Sequence, residues 1–504
     1  MAIRPILEEL GYFPDPVLLY SALNEEPYSS FLDSGMDEKK LGRFSFIAYD
    51  PFMVAECGSG NITVFTKNGT HNIKENPFRF IKDALLRYKT ECPGCDIPFI
   101  SGCIGYFSYD MRYFVEKLPS YALDDMAMPD FILSFYDVVI IFDNLAKKTY
   151  ISSSGLPEHN GEDRKRRAGK RLEAVKRKLR SITSAVSDSA SDAGCLAPNF
   201  DGNFFDRVLK SNFTEKNYYK AIEKAKDYIA RGDIYQVNLS QRFECGFKGN
   251  AFGLYRKLRQ INPAPFAAYL NFGKFKIVSS SPERFIKING RYIETRPIKG
   301  TRPRNIDRNE DLRLKEELLS SVKDKAEHVM IVDLERNDMG RICEYGSIAP
   351  SEFAIPETYS TVHHLTSTVT GILREGTDVV DCLKNCFPGG SITGAPKIRS
   401  MEIIEEIEPT KRGIYTGSIG YIDFCGNLDL SIVIRTIILK ENRAYFQVGG
   451  GIVADSDPEK EYQETLDKGR ALAEAIWAYK QVHQLPVTGA PAIKISKSKN
   501  QNAK

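Results

Sequence analysis

Hydrophobic and polar positions alternate along much of the first 150 residues, which predicts a region rich in β-strands. One stretch there has helical spacing instead, because Phe80, Ile81 and Leu85 share a face of a helix predicted over Phe78–Tyr88. The clearest strands are predicted at Phe44–Ala48, Asn61–Thr66, Phe131–Phe135 and Val138–Phe142. No group of catalytic side chains is visible in this part of the chain.

The pattern changes after Ser152, where a turn-forming stretch leads into a strongly basic segment. Arg164–Arg180 holds ten basic residues and one acid, Glu173. Its apolar positions recur at helical spacing: Leu172, Val175, Leu179 and Ile182. The spacing predicts a surface helix packed on the body of the protein. A nucleic-acid patch is the alternative, but the segment lacks aromatic residues that could stack on bases. Ser181–Asn199, rich in Ser, Ala and Asp, is predicted to be a flexible linker.

The second half of the chain alternates helices and strands more regularly. Helices are predicted at Glu215–Arg231 (capped by Thr214 and closed by Gly232), Asn309–Leu334, Ile398–Glu406 and after an N-cap at Asp457 with Pro458 next. Strands are predicted at Ile234–Arg242, Phe275–Ser279, Phe285–Ile288, Gly417–Phe424, Leu428–Leu439 and Ala444–Val448. Phe275–Ser279 and Phe285–Ile288 are expected to pair around Pro282, and a Gly-rich loop spans Pro388–Lys397.

Composition excludes several classes of protein. The 504 residues are 42% hydrophobic and 27% charged, as in ordinary globular proteins, and the net charge of +3 implies no bulk attraction to nucleic acid or membrane. No apolar run reaches the ~18 residues of a membrane span, and no secretory signal pattern is present. Two pairs of the ten cysteines are close in sequence, Cys92/Cys95 and Cys382/Cys386, but Cys92-Pro-Gly-Cys95 has no second pair at zinc-finger spacing and no histidines nearby. We therefore expect reduced thiols in a soluble, cytoplasmic protein.

Lys299 is the first candidate for chemistry. It follows a strand that ends at Glu294, in a predicted turn with two prolines and Gly300. Three arginines flank it: Arg296, Arg302 and Arg304. Nearby guanidiniums disfavour the ammonium form, so they would lower the pKa of Lys299, and a neutral lysine is a nucleophile. The alternative is a solvated basic loop.

Two predicted helices carry the same arrangement of carboxylates. Asp324 and Glu327 lie three residues apart on one helix, and Glu461 and Glu464 on the other. This spacing puts both acids of a pair on one face. If the faces meet, four carboxylates need a cation, and ligands that are all oxygen favour Mg²⁺ over zinc. The alternative for each pair is a surface charge pattern.

Other features of the sequence are weaker candidates for a functional site when each is considered alone. The loop Pro388–Lys397 is not a Walker phosphate loop, because its lysine does not directly follow a glycine. Gly449-Gly-Gly451 could present backbone N–H groups to an anion. Arg435, in an apolar strand, needs an anionic partner from substrate or protein. His363-His364 offers an acid or base, or a structural histidine.

Residues of about 205–480 carry ordered motifs that resemble the chorismate-utilising enzymes, a family that includes anthranilate, aminodeoxychorismate and isochorismate synthases. The motifs are Ser281-Pro-Glu-Arg-Phe285, Thr295-Arg-Pro-Ile-Lys-Gly-Thr-Arg302, Ile331-Val-Asp-Leu-Glu-Arg-Asn-Asp338, Pro388–Lys397, Gly417-Ser-Ile-Gly-Tyr421 and Gly451-Ile-Val-Ala-Asp-Ser456. The resemblance implies an α+β fold of two interleaved lobes, with packed antiparallel β-sheets flanked by helices. Resemblance and composition together divide the chain into an N-terminal β-rich region (1–155), a basic helix and linker (156–203), a chorismate-binding catalytic region (204–484) and a polar tail (485–504), which its composition predicts to be disordered.

The resemblance also implies a role for each candidate residue. Glu327 and Glu464 match the Mg²⁺ ligands, with Asp324 and Glu461 placed to hold metal-bound waters. Groups that bind the enolpyruvyl carboxylate match Tyr415, Arg435 and the amides of Gly449 and Gly451. Ser391 lies on the substrate loop, Glu283 matches the acid/base near the departing hydroxyl, and His364 matches a histidine beside the ring.

Two positions point to one branch of the family. The stretch Pro297-Ile-Lys-Gly-Thr301 resembles aminodeoxychorismate synthase component I, whereas anthranilate synthases typically have alanine at position 299. Gln236 stands where enzymes that activate water carry a lysine. The resemblance therefore implies Mg²⁺-dependent conversion of chorismate and ammonia into 4-amino-4-deoxychorismate, through a covalent intermediate on Lys299.

Ammonia needs a source. No cysteine lies in the Gly-x-Cys-x-Gly-x-Gln elbow of a glutaminase, so a separate glutamine amidotransferase subunit is the expected partner. Two alternatives stay open: anthranilate synthase component I, and a non-catalytic regulatory or binding subunit with the family fold.

Overall fold

The structure, a computed structural model, describes residues 4–36, 40–91, 94–186, 205, 208–359 and 362–483. Its α-helices are α1 (Pro16–Ser21), α2 (Pro77–Arg87), α3 (Gly161–Val186), α4 (Glu215–Ala230), α5 (Ala251–Ile261), α6 (Arg308–Ser320), α7 (Val322–Gly340), α8 (Val379–Cys386), α9 (Lys397–Ile407) and α10 (Pro458–Val482). Short 3-10 turns span Tyr109–Phe114 and Gly390–Ile392.

The strands of the N-terminal part are β1 (Ile6–Leu10), β2 (Ser30–Asp33), β3 (Phe44–Ala48), β4 (Met53–Gly58), β5 (Asn61–Thr66), β6 (Gly69–Lys74), β7 (Gly102–Phe107), β8 (Phe131–Tyr136), β9 (Val138–Asp143) and β10 (Lys148–Ser153). Those that follow are β11 (Lys210–Ser211), β12 (Gln236–Gly246), β13 (Phe266–Asn271), β14 (Phe275–Ser281), β15 (Arg284–Asn289), β16 (Tyr292–Arg296), β17 (Ile298–Pro303), β18 (Ala349–Thr358), β19 (Val362–Ile372), β20 (Gly394–Ala395), β21 (Ser418–Asp423), β22 (Leu428–Ile432), β23 (Thr436–Lys440) and β24 (Arg443–Ile452).

Two antiparallel sheets contain all of these strands. The first sheet has the order β1-β10-β9-β3-β2-β13-β14-β23-β24-β12-β11, with β20 also paired to β12. The second has the order β17-β19-β16-β15-β22-β21-β7-β8-β4-β5-β6, with β18 paired to β19. Strands from the first and the second half of the chain pair inside each sheet, as β2 with β13 and β7 with β21.

The two sheets pack face to face, with helices outside. Apolar side chains from both sheets form one buried cluster between them, including Phe46 and Ile277 of the first sheet and Ile104 and Tyr421 of the second. A second cluster lies between the first sheet and α1, α3, α5 and α10. A third includes residues of the second sheet and of α2, α4, α8 and α9. The expected α+β architecture of interleaved, packed antiparallel sheets flanked by helices is confirmed.

The chain passes between the sheets at two neighbouring points. After β14 it leaves the first sheet at Pro282 and Glu283 and enters the second as β15. After β22 it returns to the first sheet through residues 433–435. The predicted pairing of Phe275–Ser279 with Phe285–Ile288 is therefore wrong, since the two strands lie in different sheets. The predicted single strand Leu428–Leu439 is wrong for the same reason, because Arg435 has a positive φ of 52° that ends the extended run.

The helix predicted over Asn309–Leu334 is two helices, α6 and α7. Ser321 between them has extended backbone angles (φ −63°, ψ 112°), and its hydroxyl accepts a hydrogen bond of 3.1 Å from the amide of Asp324. Serine at an N-cap satisfies an amide that the first turn leaves free. The break separates the two helices, so the orientation of α7, which carries Asp324 and Glu327 on one face, does not have to follow that of α6.

The basic segment forms a helix, as predicted. It runs as α3 to Val186, so the first six residues of the predicted linker are helical; the rest of that linker, with the predicted tail, lies outside the described residues. Leu172, Val175 and Leu179 are buried against the first sheet, and Ile182 packs on the same cluster.

Most other predicted elements match within one or two residues. Thr214 caps α4 and Asp457 caps α10, each by accepting a hydrogen bond from an amide of the first turn. Every helix among the described residues is too short or too polar to span a membrane. The cysteines within that part are free thiols: 57, 95, 103, 245, 343, 382, 386 and 425.

We predict that Ser321→Ala lowers the free energy of unfolding by about 1 kcal/mol, because α7 loses its N-cap. Urea unfolding would measure the change. Ser320→Ala is the control, because its hydroxyl bonds only a carbonyl of α6, that of Glu317. Equal losses in both variants would contradict the capping role of Ser321.

Candidate active site

A cleft of about 1160 Å³ opens beside the two points at which the chain passes between the sheets. Residues from both sheets, from α7 and α10, and from the loop before α9 line it. All twelve site residues predicted from the sequence lie on its walls: Glu283, Lys299, Asp324, Glu327, His364, Ser391, Tyr415, Arg435, Gly449, Gly451, Glu461 and Glu464. The chain therefore brings together groups that are up to 181 positions apart, counted from Glu283 to Glu464.

Lys299 lies on the edge strand β17, not in a turn as predicted. It pairs with Leu365 of β19, and the register shifts between Lys299 and Thr301, with Gly300 at a positive φ of 71°. Such a bulge re-aims the neighbouring side chain. The Nζ of Lys299 lies 3.3 Å from the backbone oxygen of Ser391, to which it donates a hydrogen bond.

The pKa of Lys299 is lowered, as predicted, but the predicted cause is wrong. Burial is the largest cause, because it disfavours the ammonium form, and the charge of Lys468 adds to it. The carboxylates of Glu327, Glu283 and Glu464 oppose the shift. The flanking arginines instead form ion pairs: Arg296 with Glu357, Arg302 with Glu317 and Asp324, and Arg304 with Asp311.

Glu283 and Ser391 form a buried hydrogen-bonded pair in the cleft. The Ser391 hydroxyl donates to Oε1 of Glu283 at 2.6 Å. Burial raises the pKa of Glu283, while the hydrogen bond from Ser391 and the charge of Lys299 act in the opposite direction. Ser391 thus contacts Lys299 through its carbonyl and Glu283 through its hydroxyl. A buried carboxyl with a raised pKa suits a general acid.

Arg435 stands at the second passage between the sheets with its guanidinium in the cleft. Among the described residues no carboxylate lies within ion-pair distance of it, and burial lowers its pKa. Tyr415 lines the same wall, and burial raises the pKa of its phenol to about 12, so the hydroxyl stays a donor. A buried guanidinium without an acid partner favours an anionic ligand.

The three glycines 449–451 lie within β24, not after a strand as predicted. Gly449 pairs with Ser240 and Gly451 with Asn238 of β12. An added Cβ at Gly449 would lie 2.5 Å from the backbone oxygen of Leu239, and one at Gly451 would lie 2.4 Å from Nε2 of Gln236. The absence of side chains keeps this wall of the cleft flat. Anion binding by the two amides stays a prediction.

The four carboxylates line one cleft, but each already has a partner. Lys468 lies 2.5 Å from Glu464, Lys323 lies 3.9 Å from Glu327, and Arg302 lies 3.0 Å from Asp324. The hydroxyl of Ser456 donates to Glu461 at 2.6 Å. Burial raises the pKa of Glu327 and Glu461, whereas Lys468 lowers that of Glu464.

These carboxylates fit Mg²⁺ by their chemistry. Within the described residues no three His, Cys, Asp or Glu side chains are close enough to form a complete protein cage. Magnesium commonly binds one or two carboxylates together with waters and substrate oxygens. Glu327 and Glu464 act on each other electrostatically, since the charge of Glu464 raises the pKa of Glu327. An oxygen-only pair of this kind is suited to Mg²⁺, although its binding stays a prediction.

His364 is buried beside β17. Its Nδ1 lies 3.0 Å from the Thr301 hydroxyl and 3.4 Å from the carbonyl oxygen of Gly300. Burial and the charge of Arg435 lower the pKa of His364 to about 4, so the ring is neutral at neutral pH. His363 points elsewhere, because its Nε2 contacts Asp311.

Three further residues of the cleft were not predicted. Lys468 bonds the carbonyl oxygen of Gly449 at 3.0 Å as well as Glu464, and Lys323 pairs with Glu327. Both lysines are four residues from their glutamates, so helical spacing could have indicated them. Gln447 precedes Gly449 by two residues on the same face of β24; its Nε2 donates to Ser240, while its buried Oε1 has no partner among the described residues.

Comparisons with known proteins place the cleft in a wider context. The family model described as chorismate binding enzyme matches residues 37–474. The chain is 39% identical over 466 residues to anthranilate synthase component 1 of Acetivibrio thermocellus, covering 92% of each protein. It is 38% identical over 442 residues to aminodeoxychorismate synthase component 1 of Bacillus subtilis (strain 168), covering 88% of this chain and 91% of that protein.

A solved structure agrees with the fold. The crystal structure of anthranilate synthase component I from Streptococcus pneumoniae TIGR4 superposes with a TM-score of 0.73 at 33% identity, covering 87% of this chain and 94% of that chain. The similarity therefore extends over most of this chain and supports the fold of helices and two large antiparallel sheets.

We predict that the pKa of Lys299 moves in opposite directions in two variants. Glu327→Gln removes a charge that stabilises the ammonium and lowers this pKa further, whereas Lys468→Met removes a repelling cation and raises it. The pH dependence of acetylation of Lys299, followed by mass spectrometry in metal-free buffer, would measure both. Shifts in one direction in both variants would contradict this electrostatic account.

Proposed function

The chain belongs to the chorismate-binding enzyme family, and we propose that it replaces the C4 hydroxyl of chorismate by an amino group, giving 4-amino-4-deoxychorismate. Lys299 is the observation that carries this proposal. A lysine of lowered pKa lies in the cleft beside Ser391, within the electrostatic reach of Glu283 and Glu327. Amination at C4 through a covalent lysine needs a neutral amine at this place, whereas direct amination at C2 does not.

The proposed reaction uses two displacements. The neutral Nζ of Lys299 forms a bond to C2 of the ring, the ring double bond shifts, and the C4 hydroxyl leaves as water with a proton from Glu283. Ammonia then forms a bond to C4, the double bond shifts back, and the C2–Nζ bond breaks to release neutral Lys299. The proton returns from the new ammonium group to Glu283. Chorismate and ammonia are converted to the amino product and water.

Binding relies on charge, because chorismate carries two carboxylates. Arg435 and Tyr415 supply donors for the enolpyruvyl carboxylate, and the flat strand at Gly449 and Gly451 lets that group approach the backbone. Glu327 and Glu464 would hold Mg²⁺, which would neutralise the ring carboxylate and withdraw electron density from the ring. Lys468 and Lys323, now paired with these glutamates, would exchange part of their contacts when the metal enters.

Ammonia requires a supplier. No cysteine of the sequence lies in a glutaminase elbow, so we propose a separate glutamine amidotransferase subunit as partner. Free ammonium salts at raised pH would replace it in the test tube, because a larger fraction is then uncharged ammonia.

A second candidate is amination at C2, as in anthranilate synthase component 1. The names of the Acetivibrio thermocellus and Streptococcus pneumoniae proteins favour it. Lys299 favours the C4 product, since it has no function in direct attack at C2. A non-catalytic binding subunit is the third candidate, but such a subunit needs neither a neutral lysine nor a buried acid beside it.

The test is product analysis with chorismate, Mg²⁺ and ammonium. We predict 4-amino-4-deoxychorismate from the native protein, identified by mass, and at least a ~100-fold slower formation of it by Lys299→Ala, as expected when a positioned catalytic group is lost. Lys248→Ala, which removes an exposed lysine away from the cleft, is the control.

Each other outcome has a distinct meaning. A fluorescent ortho-aminated product from the native protein would establish the second candidate. Unchanged formation of the C4 product by Lys299→Ala would remove Lys299 from the mechanism. If the native protein consumed no chorismate, a non-catalytic binding subunit would be the remaining interpretation.

A pH profile tests the role of Glu283. The Ser391 hydroxyl stabilises the carboxylate form, so Ser391→Ala raises the pKa of Glu283 further. Because the reaction needs the protonated acid, we predict that the alkaline limb of kcat/KM moves to higher pH at a fixed concentration of free ammonia. Thr393→Val, in the same loop but bonded only to the carbonyls of Gly389 and Gly390, should leave the limb in place. A shift to lower pH would contradict the role of Glu283 as the acid.

A further inference from the structure

A buried ion pair outside the cleft holds the loop that carries Ser391. Lys397, the first residue of α9, pairs with Asp338 of α7, and the side chains are 13% and 4% exposed. The same ammonium donates to the carbonyl oxygens of Cys386 at 3.1 Å and Pro388 at 2.8 Å. Its three N–H bonds thus have three protein acceptors. Neither Lys397 nor Asp338 lines the cleft.

These contacts fasten both ends of one loop to a single point. Cys386 ends α8, Pro388 begins the loop, and Lys397 ends it. A third fastening lies in the middle, where the amide of Gly390 donates to Oε1 of Glu335 at 3.0 Å. Asp338 and Glu335 both belong to α7, the helix that also carries Glu327.

The loop has little freedom at the place where it meets the reacting groups. Ser391 follows Gly390 directly and contacts Lys299 through its carbonyl and Glu283 through its hydroxyl. A displacement of the loop would disturb the nucleophile and the acid together. Errors of about 1 Å in such an arrangement can cost on the order of 100-fold in rate.

We propose that Lys397 and Asp338 are positioning residues, whose ion pair clamps the loop 386–397 so that Ser391 bridges Lys299 and Glu283. The inference rests on the proposed chemistry at Lys299 and Glu283. In this proposal the ammonium of Lys397 holds the backbone carbonyls of Cys386 and Pro388 in place, and Asp338 neutralises the charge of that buried ammonium.

Four variants of the full chain test it: Lys397→Met, Asp338→Asn, the double variant Lys397→Met/Asp338→Asn, and the control Arg167→Met. The control is matched, because Arg167 also joins a buried carboxylate, that of Asp137, to a backbone carbonyl, that of Leu156, far from this loop. Three quantities are measured: the melting temperature, kcat for chorismate consumption with ammonium and Mg²⁺, and hydrogen exchange of a peptide covering 388–395.

Lys397→Met leaves a buried carboxylate unpaired, so we expect a lower melting temperature, faster exchange in the loop and a kcat reduced on the order of 10- to 100-fold. The double variant removes both charges and regains most of the melting temperature, but the carbonyl contacts stay lost, so kcat stays at least ~10-fold low. Asp338→Asn should keep more activity than either variant without Lys397. Arg167→Met should lower the melting temperature while kcat and loop exchange stay native.

Recovery of kcat together with the melting temperature in the double variant would overturn the proposal, because it would reduce the pair to a source of stability. Native exchange of the loop in both variants without Lys397 would overturn it as well. These outcomes differ from a failure of the proposed function, in which the native protein itself consumes no chorismate or forms another product. In that case the exchange measurement still decides whether the pair clamps the loop.

Discussion

The passage of the chain between its two sheets is the constraint on which the cleft depends. Glu283 lies in the first passage and Arg435 ends the second, and hydrogen bonds join the two segments. The amide of Ile432 donates to the carbonyl of Glu283 at 3.0 Å, and the amide of Ser280 to that of Arg435 at 3.1 Å. The residues of a passage do not continue the hydrogen-bond ladder of either sheet, so their backbone and side chains can face an opening. The buried acid and the unpaired guanidinium are neighbours for this reason.

Burial then shifts the pKa values of the groups in that opening. It lowers the pKa of Lys299 and raises that of Glu283, so both shifts favour a neutral amine beside a neutral acid. Environments that move two pKa values in opposite directions assign a base and an acid to a site. The same burial lowers the pKa of Arg435, which has no carboxylate within ion-pair distance among the described residues, and an anionic ligand would offset this cost of burial. Chemistry and binding therefore follow from one cause, the removal of water.

Local signals in the sequence were sufficient for most of the elements, and the ordered motifs were sufficient for the membership of the cleft. Caps at Thr214 and Asp457, alternation in the strands and the ordered motifs predicted both, and every predicted site residue lies on the cleft wall. Errors arose where tertiary structure decides. The arginines near Lys299 in sequence turn to carboxylates on other elements, so chain proximity gave the right direction of the pKa shift for a wrong reason.

The remaining errors have the same origin. Arg435 lies in an apolar run, and the alternation of residues along that run does not show that its two ends belong to different sheets. Only the positive φ of Arg435 marks the break. Gly449 and Gly451 look like a loop, yet pairing with β12 keeps them in a strand. Lys468 was missed because its spacing to Glu464 also fits a surface ion pair.

The interleaving of early and late strands has a consequence for how the protein is made. β2 can pair with β13 only after residue 271 exists, and β12 finds β24 only after residue 452. Such a topology has high contact order, so the chain must lose the entropy of closing long loops before the stabilising contacts between distant strands can form. During synthesis the N-terminal strands leave the ribosome with open edges; the edge of β2 stays exposed to aggregation until β13 has been translated, and that of β7 until β21 has been translated.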